Sequence, residues 1–190
     1  MKLQFISAVV CLLLFSACNN QKSPKELSTN EMLELAGKSP GMNAGNGTFS
    51  IKTPEGWTKK DTVMSRIEYT FMMAPKLEGS PFQANVNIVT QQLKEGFTLE
   101  KYMESTRKEM ESFFSNYQQL GDGERMVTDV KAQWMKCQYK HRESGLMLNA
   151  QVTILVKNNI TYGITLTTLH NELDKYSPAL EVILNSFTTK

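Results

Sequence analysis

Three side chains of this sequence could form a nucleophilic site if the fold brought them together: Cys137, His141 and His170. A histidine beside a thiol can accept its proton and leave a thiolate nucleophile. Cys137 and His141 lie four residues apart on one predicted strand, so their Cα atoms are about 13 Å apart on the same face and cannot meet. His170 ends another predicted strand and could approach only through the fold. The pattern favours Cys137 as a small buried apolar residue, and a hydrolase-type enzyme is the function these residues support least.

Metal-binding patterns in this sequence are weak. Two histidines are too few for a zinc site without carboxylates from elsewhere, and residues 121–124 lack the alternating ligands of a calcium loop. We interpret residues 121–124 as a turn. Most of the eleven methionines fall on predicted apolar faces, where Met fills core space rather than binding copper. With no glycine-rich phosphate loop or hydrolase motif either, no catalytic residue, metal or cofactor is predicted.

The start of the chain is typical of a bacterial lipoprotein. Lys2 precedes an apolar run over residues 5–15, and the small residues Ser16 and Ala17 stand directly before Cys18. The run is shorter than the about 20 residues that span a bilayer. We predict a signal peptide over residues 1–17 and lipid attachment at Cys18, with acyl chains that anchor the protein to a membrane. The alternatives are an ordinary signal peptide and an uncleaved anchor helix.

Charge and cysteine content limit the possible partners and the sources of stability. Removal of the signal takes away Lys2, so 21 Lys and Arg become 20 against 19 Asp and Glu, a net charge of +1. This balance gives no basis for binding nucleic acid. Cys11 leaves with the signal and Cys18 carries lipid, so Cys137 has no cysteine partner and the core alone must stabilise the domain.

The segment after Cys18 is predicted to be a tether. Residues 19–47 are rich in Asn, Ser, Lys, Gly and Pro. As a coil of about 29 residues they reach about 30 Å, which lets the domain of residues 48–190 stand clear of the membrane. A short helix over residues 31–36 is possible there, but it is too short to be stable alone.

The core of the domain is a predicted antiparallel meander of three strands. Period-two alternation and tight turns at residues 143–145 and 157–159 indicate strands over residues 130–142, 146–156 and 160–169. Bulky apolar residues of both parities at Trp134 and Met135 predict a strand covered on both faces.

Strands and helices surround this meander. Earlier strands are predicted over residues 48–51, 63–73 and 84–88. One helix begins after the N-cap Thr98 and carries an apolar stripe from Leu99 to Tyr117, with ion pairs four residues apart on a solvated outer face. The last helix has Ser177 as N-cap and Pro178 at its first position. This order predicts an α+β domain with an antiparallel sheet flanked by helices.

Two stretches resemble PsbP-like domains. Residues 49–57, Phe-Ser-Ile-Lys-Thr-Pro-Glu-Gly-Trp, resemble their opening strand and Pro-x-Gly-Trp turn, and the closing Leu-Asn-Ser-Phe of residues 184–187 also fits. That superfamily includes PsbP, the envelope lipoprotein DcrB and a Ran-binding Mog protein. The resemblance covers residues 48–189 and implies an α/β/α sandwich. It also implies action by binding, since the known members mostly serve as assembly factors, adaptors or accessory subunits and share no catalytic constellation.

These observations lead to a functional hypothesis with one alternative. The chain is expected to be a non-enzymatic envelope lipoprotein that binds a protein partner, with Trp57 and Phe82 as candidate binding-surface residues. Trp57 could instead only pack under its own turn. The alternative is a carrier or sensor of a small apolar ligand, which predicts an apolar pocket between sheet and helix. Because no aspartate follows Cys18, we expect the outer membrane, facing the periplasm.

Overall fold

The computed structural model describes residues 49–64, 67–93 and 95–189. The predicted signal peptide, Cys18 and the tether lie outside these residues. In chain order the elements are β1 (Phe49–Ser50), β2 (Thr58–Met64), β3 (Ile67–Met73), β4 (Asn85–Gln92), α1 (Leu99–Phe113), β5 (Ser115–Val127), β6 (Val130–Lys140), β7 (Met147–Lys157), β8 (Ile160–Leu169), α2 (Leu173–Ser186) and β9 (Thr188–Thr189).

Strands β2 to β8 form one seven-stranded sheet in the order β2-β3-β4-β8-β7-β6-β5. All neighbouring strands are antiparallel, and β1 pairs with β9 in a separate two-stranded sheet. The predicted meander is confirmed as β6, β7 and β8. Asn158 and Asn159 have φ angles of 53° and 61°, which a tight turn between two twisted strands requires.

The two helices pack on opposite faces of this sheet. On the α1 face, Met103 and Met110 of the helix pack with Cys137, Ala150 and other side chains of β6 and β7. On the α2 face, Leu180, Ile183 and Leu184 of the helix pack with Leu155, Ile164 and Leu166. Because successive side chains of a strand point to opposite faces, β7 contributes to both cores. The predicted α+β sandwich of antiparallel sheet and helices is therefore confirmed.

The predicted strand over residues 63–73 is wrong in its limits. That stretch contains the end of β2 and all of β3, which pair antiparallel with Thr58 opposite Met73. Polar residues dominate β2, with the sequence Thr-Lys-Lys-Asp-Thr-Val-Met. An edge strand that pairs on one side carries little apolar signal, and this is why the sequence did not separate the two strands.

Strand β5 includes residues that were predicted to lie in a helix and in a turn. The helix ends at Phe113, and Tyr117, predicted on its stripe, lies on the strand. Residues 121–124, interpreted as a turn, lie inside the 13-residue β5 and pair with β6. Two register shifts, near residues 115–118 and 119–121, interrupt the pairing. Such bulges break strict alternation, which hid the strand.

Helix α2 begins one turn earlier than predicted. Its first residue is Leu173, its N-cap is Glu172, and Pro178 lies inside the helix. Ser177, predicted to cap it, instead donates its hydroxyl to the carbonyl oxygen of Leu173 at 2.9 Å. A serine followed by proline is a strong helix-start pattern, but the burial of Leu173 favours the added turn.

Candidate functional site

The structure places the potentially reactive side chains in different surroundings. Cys137 is fully buried in the α1-face core, and burial raises the pKa of its thiol to about 12. His141 is buried at the end of β6, where its Nδ1 lies 2.9 Å from the hydroxyl of Ser144. His170 is exposed beyond the end of β8. Cys137 is a buried core residue, as predicted, and its thiol remains protonated at neutral pH.

Trp57 and Phe82, the predicted binding-surface residues, lie on opposite faces of the sheet. Trp57 is partly buried and packs at the edge of the α2-face core, with its ring edge-to-face against Tyr176 at 6.2 Å. Its backbone N–H donates to the carbonyl of Pro54 at 3.1 Å, which closes the turn before β2. Phe82 is 8% exposed and belongs to the α1-face core. The structure does not bring them together, and their role in binding stays a prediction.

A cleft between α1 and the β5–β6 edge of the sheet brings charged side chains together. Its volume is about 450 Å³. The lining combines one wall from the helix with one from the two strands: Glu100, Met103, Glu104, Arg107, Asp122, Gly123, Glu124, Gln133 and Trp134. Met103 is buried at its base, and Trp134 is partly exposed. Four carboxylates line the cleft with one guanidinium, and Lys108 and Lys131 beside it form ion pairs with Glu104 and Glu124.

Helix α1 presents its charged residues to this cleft through regular spacing. Glu100, Glu104 and Arg107 recur at intervals of four and three residues, which puts them on one side of the helix. Thr98 caps the helix, and its hydroxyl accepts the backbone N–H of Lys101 at 3.3 Å. A hydrogen bond with the Thr98 side chain also lowers the pKa of Glu100, more than any other interaction does. The cap therefore orders both the helix and its first acidic side chain.

Arg107 joins the two walls of the cleft. Its guanidinium lies 2.8 Å from a carboxylate oxygen of Glu104 on the helix and 3.6 Å from one of Asp122 on β5. Lys108 lies 3.1 Å from the other oxygen of Glu104. Hydrogen bonding by Lys108 lowers the pKa of Glu104. These exposed pairs connect the helix to the strand, and each contributes little to stability.

Strand β5 approaches the ring of Trp134 through two glycines. A Cβ at Gly123 would lie 3.0 Å from Cζ2 of Trp134, and one at Gly121 would lie 3.8 Å from Cζ3. Glu124 beside them forms an ion pair with Lys131 at 2.9 Å, and that hydrogen bond lowers the pKa of Glu124. Trp134 is only partly buried, so the prediction that both faces of this strand are covered holds for Met135 better than for Trp134.

The comparisons with known proteins decide the family. The family model for DcrB matches residues 49–186, nearly the whole described domain. The chain belongs to the DcrB family. This confirms the resemblance to PsbP- and DcrB-like domains that the opening and closing motifs carry. No curated protein sequence matches the chain significantly.

Two solved structures share the fold of this DcrB-family domain at low sequence identity, and a third aligns more weakly. LpqN of Mycobacterium tuberculosis, described as involved in cell envelope biogenesis, aligns with a TM-score of 0.64 and 14% identity over 77% of this chain and 85% of its own. PA94 of Pseudomonas aeruginosa, a putative regulator of unknown function, aligns with a TM-score of 0.53 and 15% identity, over 72% and 92%. Cyanobacterial PsbP from Synechocystis aligns with a TM-score of 0.48 and 10% identity, over 80% and 98%.

The chemistry of the cleft in the DcrB-family domain is electrostatic. The pKa values of Glu100, Glu104 and Glu124 all lie below the usual value for glutamate, because hydrogen bonds from neighbours favour the ionised form. General acid–base catalysis needs a group that titrates near the working pH, and these three carboxylates are already ionised there. Fixed negative charge beside a partly exposed indole is instead suited to binding a cationic group.

The sequence pattern does not reveal this cleft, for a physical reason. The pairs on α1 were interpreted as a solvated outer face, and residues 121–124 as a turn, so the two walls were assigned to unrelated surfaces. The combination of two alternate glycines with a tryptophan on the next strand is the signal that could have indicated β5. The cleft is also not the apolar pocket that the carrier hypothesis predicts, since charged residues form most of its lining.

Two further findings concern metal and membrane. Among residues 49–64, 67–93 and 95–189, no three metal-ligating side chains come close enough to hold an ion. Neither helix of that part of the chain is long and apolar enough to cross a membrane.

Proposed function

We propose that this chain is a non-enzymatic lipoprotein of the bacterial cell envelope that acts as an accessory module by binding a protein partner. The family membership of the domain and the lipoprotein pattern around Cys18 support this proposal. The fold likeness to LpqN, described as involved in cell envelope biogenesis, fits the same role. In this proposal the lipid on Cys18 anchors the protein to the outer membrane, facing the periplasm, because no aspartate follows Cys18.

The observation that carries the binding function is the ionised cleft between α1 and β5–β6. Its acidic side chains come from both walls, and Arg107 holds the walls together. A basic segment of a partner protein complements these carboxylates. The ring of Trp134 already has the Nζ of Lys136 at 6.0 Å from its centroid, so the carboxylates carry the binding. The net charge of the full sequence is only +2, so the chain as a whole gives no large field that would attract a charged partner.

The first experiment is a crosslinking pull-down from native cells with wild type, Cys18→Ala and the double variant Glu100→Gln, Glu124→Gln. We expect one stoichiometric partner, which is weakened or lost when the lipid is removed and when the cleft is neutralised. The matched control is Glu55→Gln with Glu78→Gln, because it changes the net charge equally at exposed positions away from the cleft. Binding should weaken with added salt, since the contacts are exposed charges.

Three outcomes would overturn parts of the proposal. Equal capture by the cleft variant and its control means that the cleft is not the binding surface. Trp57→Ala is tested in the same pull-down, and loss of the partner in that variant but not in the cleft variant would assign binding to the turn before β2. If nothing is captured and native mass spectrometry of the purified protein shows a bound small molecule, the carrier hypothesis replaces the protein-binding one.

A further inference from the structure

A second group of polar side chains lies on the α1 face of the sheet, on strands away from the acidic cleft. In the strand register, Val152 of the α1-face core is opposite Thr165, and Thr165 is opposite Asn87. Ala150 of the same core is opposite Thr167. Directly opposite residues of antiparallel strands project to the same face, so Asn87, Thr165 and Thr167 share the α1 face.

These three side chains and that of Tyr139 form what we name the polar cluster. All four are buried, with exposed fractions of 0% for Asn87, Thr165 and Tyr139 and 1% for Thr167. Within the part of the chain that the structure describes, five of their polar atoms have no hydrogen-bond partner: both amide atoms of Asn87 and the three hydroxyl oxygens. Buried polar atoms in folded proteins nearly always have a partner, either from the protein or from ordered water. Five unpaired atoms in one cluster therefore indicate a partner that they share.

Tyr139 reaches the cluster from β6. Ala150 separates β6 from Thr167 on this face, because it is opposite Thr167 on one side and Cys137, two residues before Tyr139, on the other. Burial raises the pKa of the Tyr139 phenol, and the side chain of Thr167 acts in the opposite direction, so the two hydroxyls are close. They are not directly hydrogen-bonded. A water molecule commonly bridges two polar groups in that relation.

The chemistry of the polar cluster defines the ligand that it can hold. Asn87 offers a carbonyl acceptor and an amide donor, and each hydroxyl can donate or accept. The cluster contains no group that is ionised at neutral pH, so it has no charge to attract an ion. Water suits this set, because an internal water both donates and accepts and typically makes about three hydrogen bonds to buried polar groups.

We propose that the polar cluster is an internal binding site for ordered water. Asn87 and Thr165, as a directly opposite pair, hold one water molecule between them, and Thr167 and Tyr139 hold another. These waters connect β4, β8 and β6 by hydrogen bonds within a core whose other members are mainly apolar. The site is separate from the acidic cleft, so its test does not depend on a protein partner.

A high-resolution crystal structure of the full-length protein tests the site directly. We expect electron density for an ordered water within hydrogen-bond distance of Asn87 and Thr165, and for a second between Thr167 and Tyr139. Direct hydrogen bonds among these four side chains, or no density beside them, would overturn the proposal. Density for an organic molecule there, with a matching mass in native mass spectrometry, would also overturn it and would support the carrier hypothesis.

Urea unfolding of Thr165→Val gives an independent readout, because the sign of its effect depends on the water. Valine replaces the hydroxyl by a methyl group of similar size. With bound water the substitution removes a hydrogen-bond partner, so the unfolding midpoint should fall. Without water it removes an unpaired buried hydroxyl, so the midpoint should rise. Thr167→Val should behave in the same way.

The matched control is Thr161→Val on the same strand. Thr161 is also buried, and its hydroxyl donates to the backbone carbonyl of Gln91 at 2.9 Å, so its substitution should lower the midpoint in either case. We expect falls of similar size for Thr161→Val and Thr165→Val. A rise of the midpoint in Thr165→Val beside a fall in Thr161→Val would contradict water binding.

Discussion

At the scale of single residues, the contact between Trp134 and the glycines of β5 gives the cleft its shape. A glycine opposite a tryptophan lets the ring lie against the backbone of the neighbouring strand. Gly123 is opposite Trp134 in the β5–β6 register, and Gly121 is two positions along the same strand. An added Cβ would lie 3.0 Å from the nearest ring atom at Gly123 but 3.8 Å from it at Gly121, so only Gly123 has no room for a methyl group.

We predict that Gly123→Ala lowers the free energy of unfolding by about 1 kcal/mol, because the indole must move away from the new methyl group. Gly121→Ala is the matched control, since its methyl group makes an ordinary contact, and reduced chain entropy should leave stability unchanged or raise it by up to about 1 kcal/mol. Urea unfolding followed by tryptophan fluorescence measures both. Equal effects of the two substitutions would mean that Trp134 adapts freely to the added methyl.

The burial of single residues was predictable where the period of a strand or helix determines which face they occupy. The burial of Cys137 between Met135 and Tyr139 followed from alternation along one strand, and the burial of Met103 and Met110 from helical spacing. The proximity of Glu104 and Asp122 could not be predicted, because it depends on how α1 packs across an unrecognised strand. Local patterns determine which face a side chain occupies, whereas a site between two elements depends on tertiary packing.

At the scale of elements, the N-cap of α1 controls one wall of the cleft. Thr98 has the extended backbone of a cap, and its hydroxyl accepts the N–H of Lys101. We predict that Thr98→Ala lowers stability by about 1 kcal/mol, within the usual range for loss of a threonine cap. Thr98→Ser should retain most of the stability, because serine also caps helices. The check is urea unfolding together with the NMR titration of Glu100, whose pKa should rise in the alanine variant only.

An unchanged Glu100 pKa in Thr98→Ala would contradict the assigned role of that hydroxyl. A loss of stability without a pKa change would mean that the cap acts on the backbone alone. The two readouts therefore separate the structural function of the cap from its electrostatic one.

A bidentate ion pair between Arg125 and Glu181 joins helix α2 to β5. The guanidinium of Arg125 lies 2.7 Å and 2.8 Å from the two carboxylate oxygens of Glu181, and this contact lowers the pKa of Glu181. Both side chains are partly exposed, so we predict a coupling of about 0.5–1 kcal/mol in a double-mutant cycle with alanine. Because the folded pKa is lowered, the coupling is present at neutral pH and is lost as the pH falls below about 4.5.

The matched control for this cycle is the pair Glu172 and Lys175, whose charged atoms are 3.7 Å apart. Its coupling should be near zero, because a single long contact on the surface contributes little. Equal coupling in the two cycles would show that the paired geometry of Arg125 adds nothing.

The limits of elements were less predictable than their types. The meander followed from alternation and turn residues, and the central part of α1 from its stripe. Strand β5 has mostly polar residues and two glycines near its centre and is interrupted by bulges, so no local pattern marks it. Pairing with β6 determines it, and pairing is a contact between distant residues.

At the scale of the whole molecule, one sheet separates two cores with different chemistry. The α2-face core is dominated by Leu, Ile and Val and contains the phenol of Tyr162, whereas the α1-face core contains both the thiol of Cys137 and the phenol of Tyr139. Burial raises the pKa of both groups, for Cys137 from 9.0 to about 12 and for Tyr139 well above 10. Only the protonated, neutral forms are compatible with this core.

The alkaline stability of the molecule should therefore depend on the α1-face core. Above about pH 9 the unfolded chain releases the Cys137 proton while the folded chain keeps it, so the unfolded state binds fewer protons and stability falls as the pH rises towards 12. The expected slope is about 1.4 kcal/mol per pH unit for one group. Urea unfolding between about pH 7 and about pH 11 measures it.

Substitution of the thiol separates this effect from general alkaline damage. Cys137→Ala removes the titrating group from both states, so its stability should fall less steeply with pH than that of wild type, even if the small cavity lowers its stability at neutral pH. Tyr139→Phe should act similarly at higher pH, because its phenol titrates above that of an exposed tyrosine. Parallel pH profiles for wild type and Cys137→Ala would show that the thiol becomes ionised without unfolding, and thus that the α1-face core admits water.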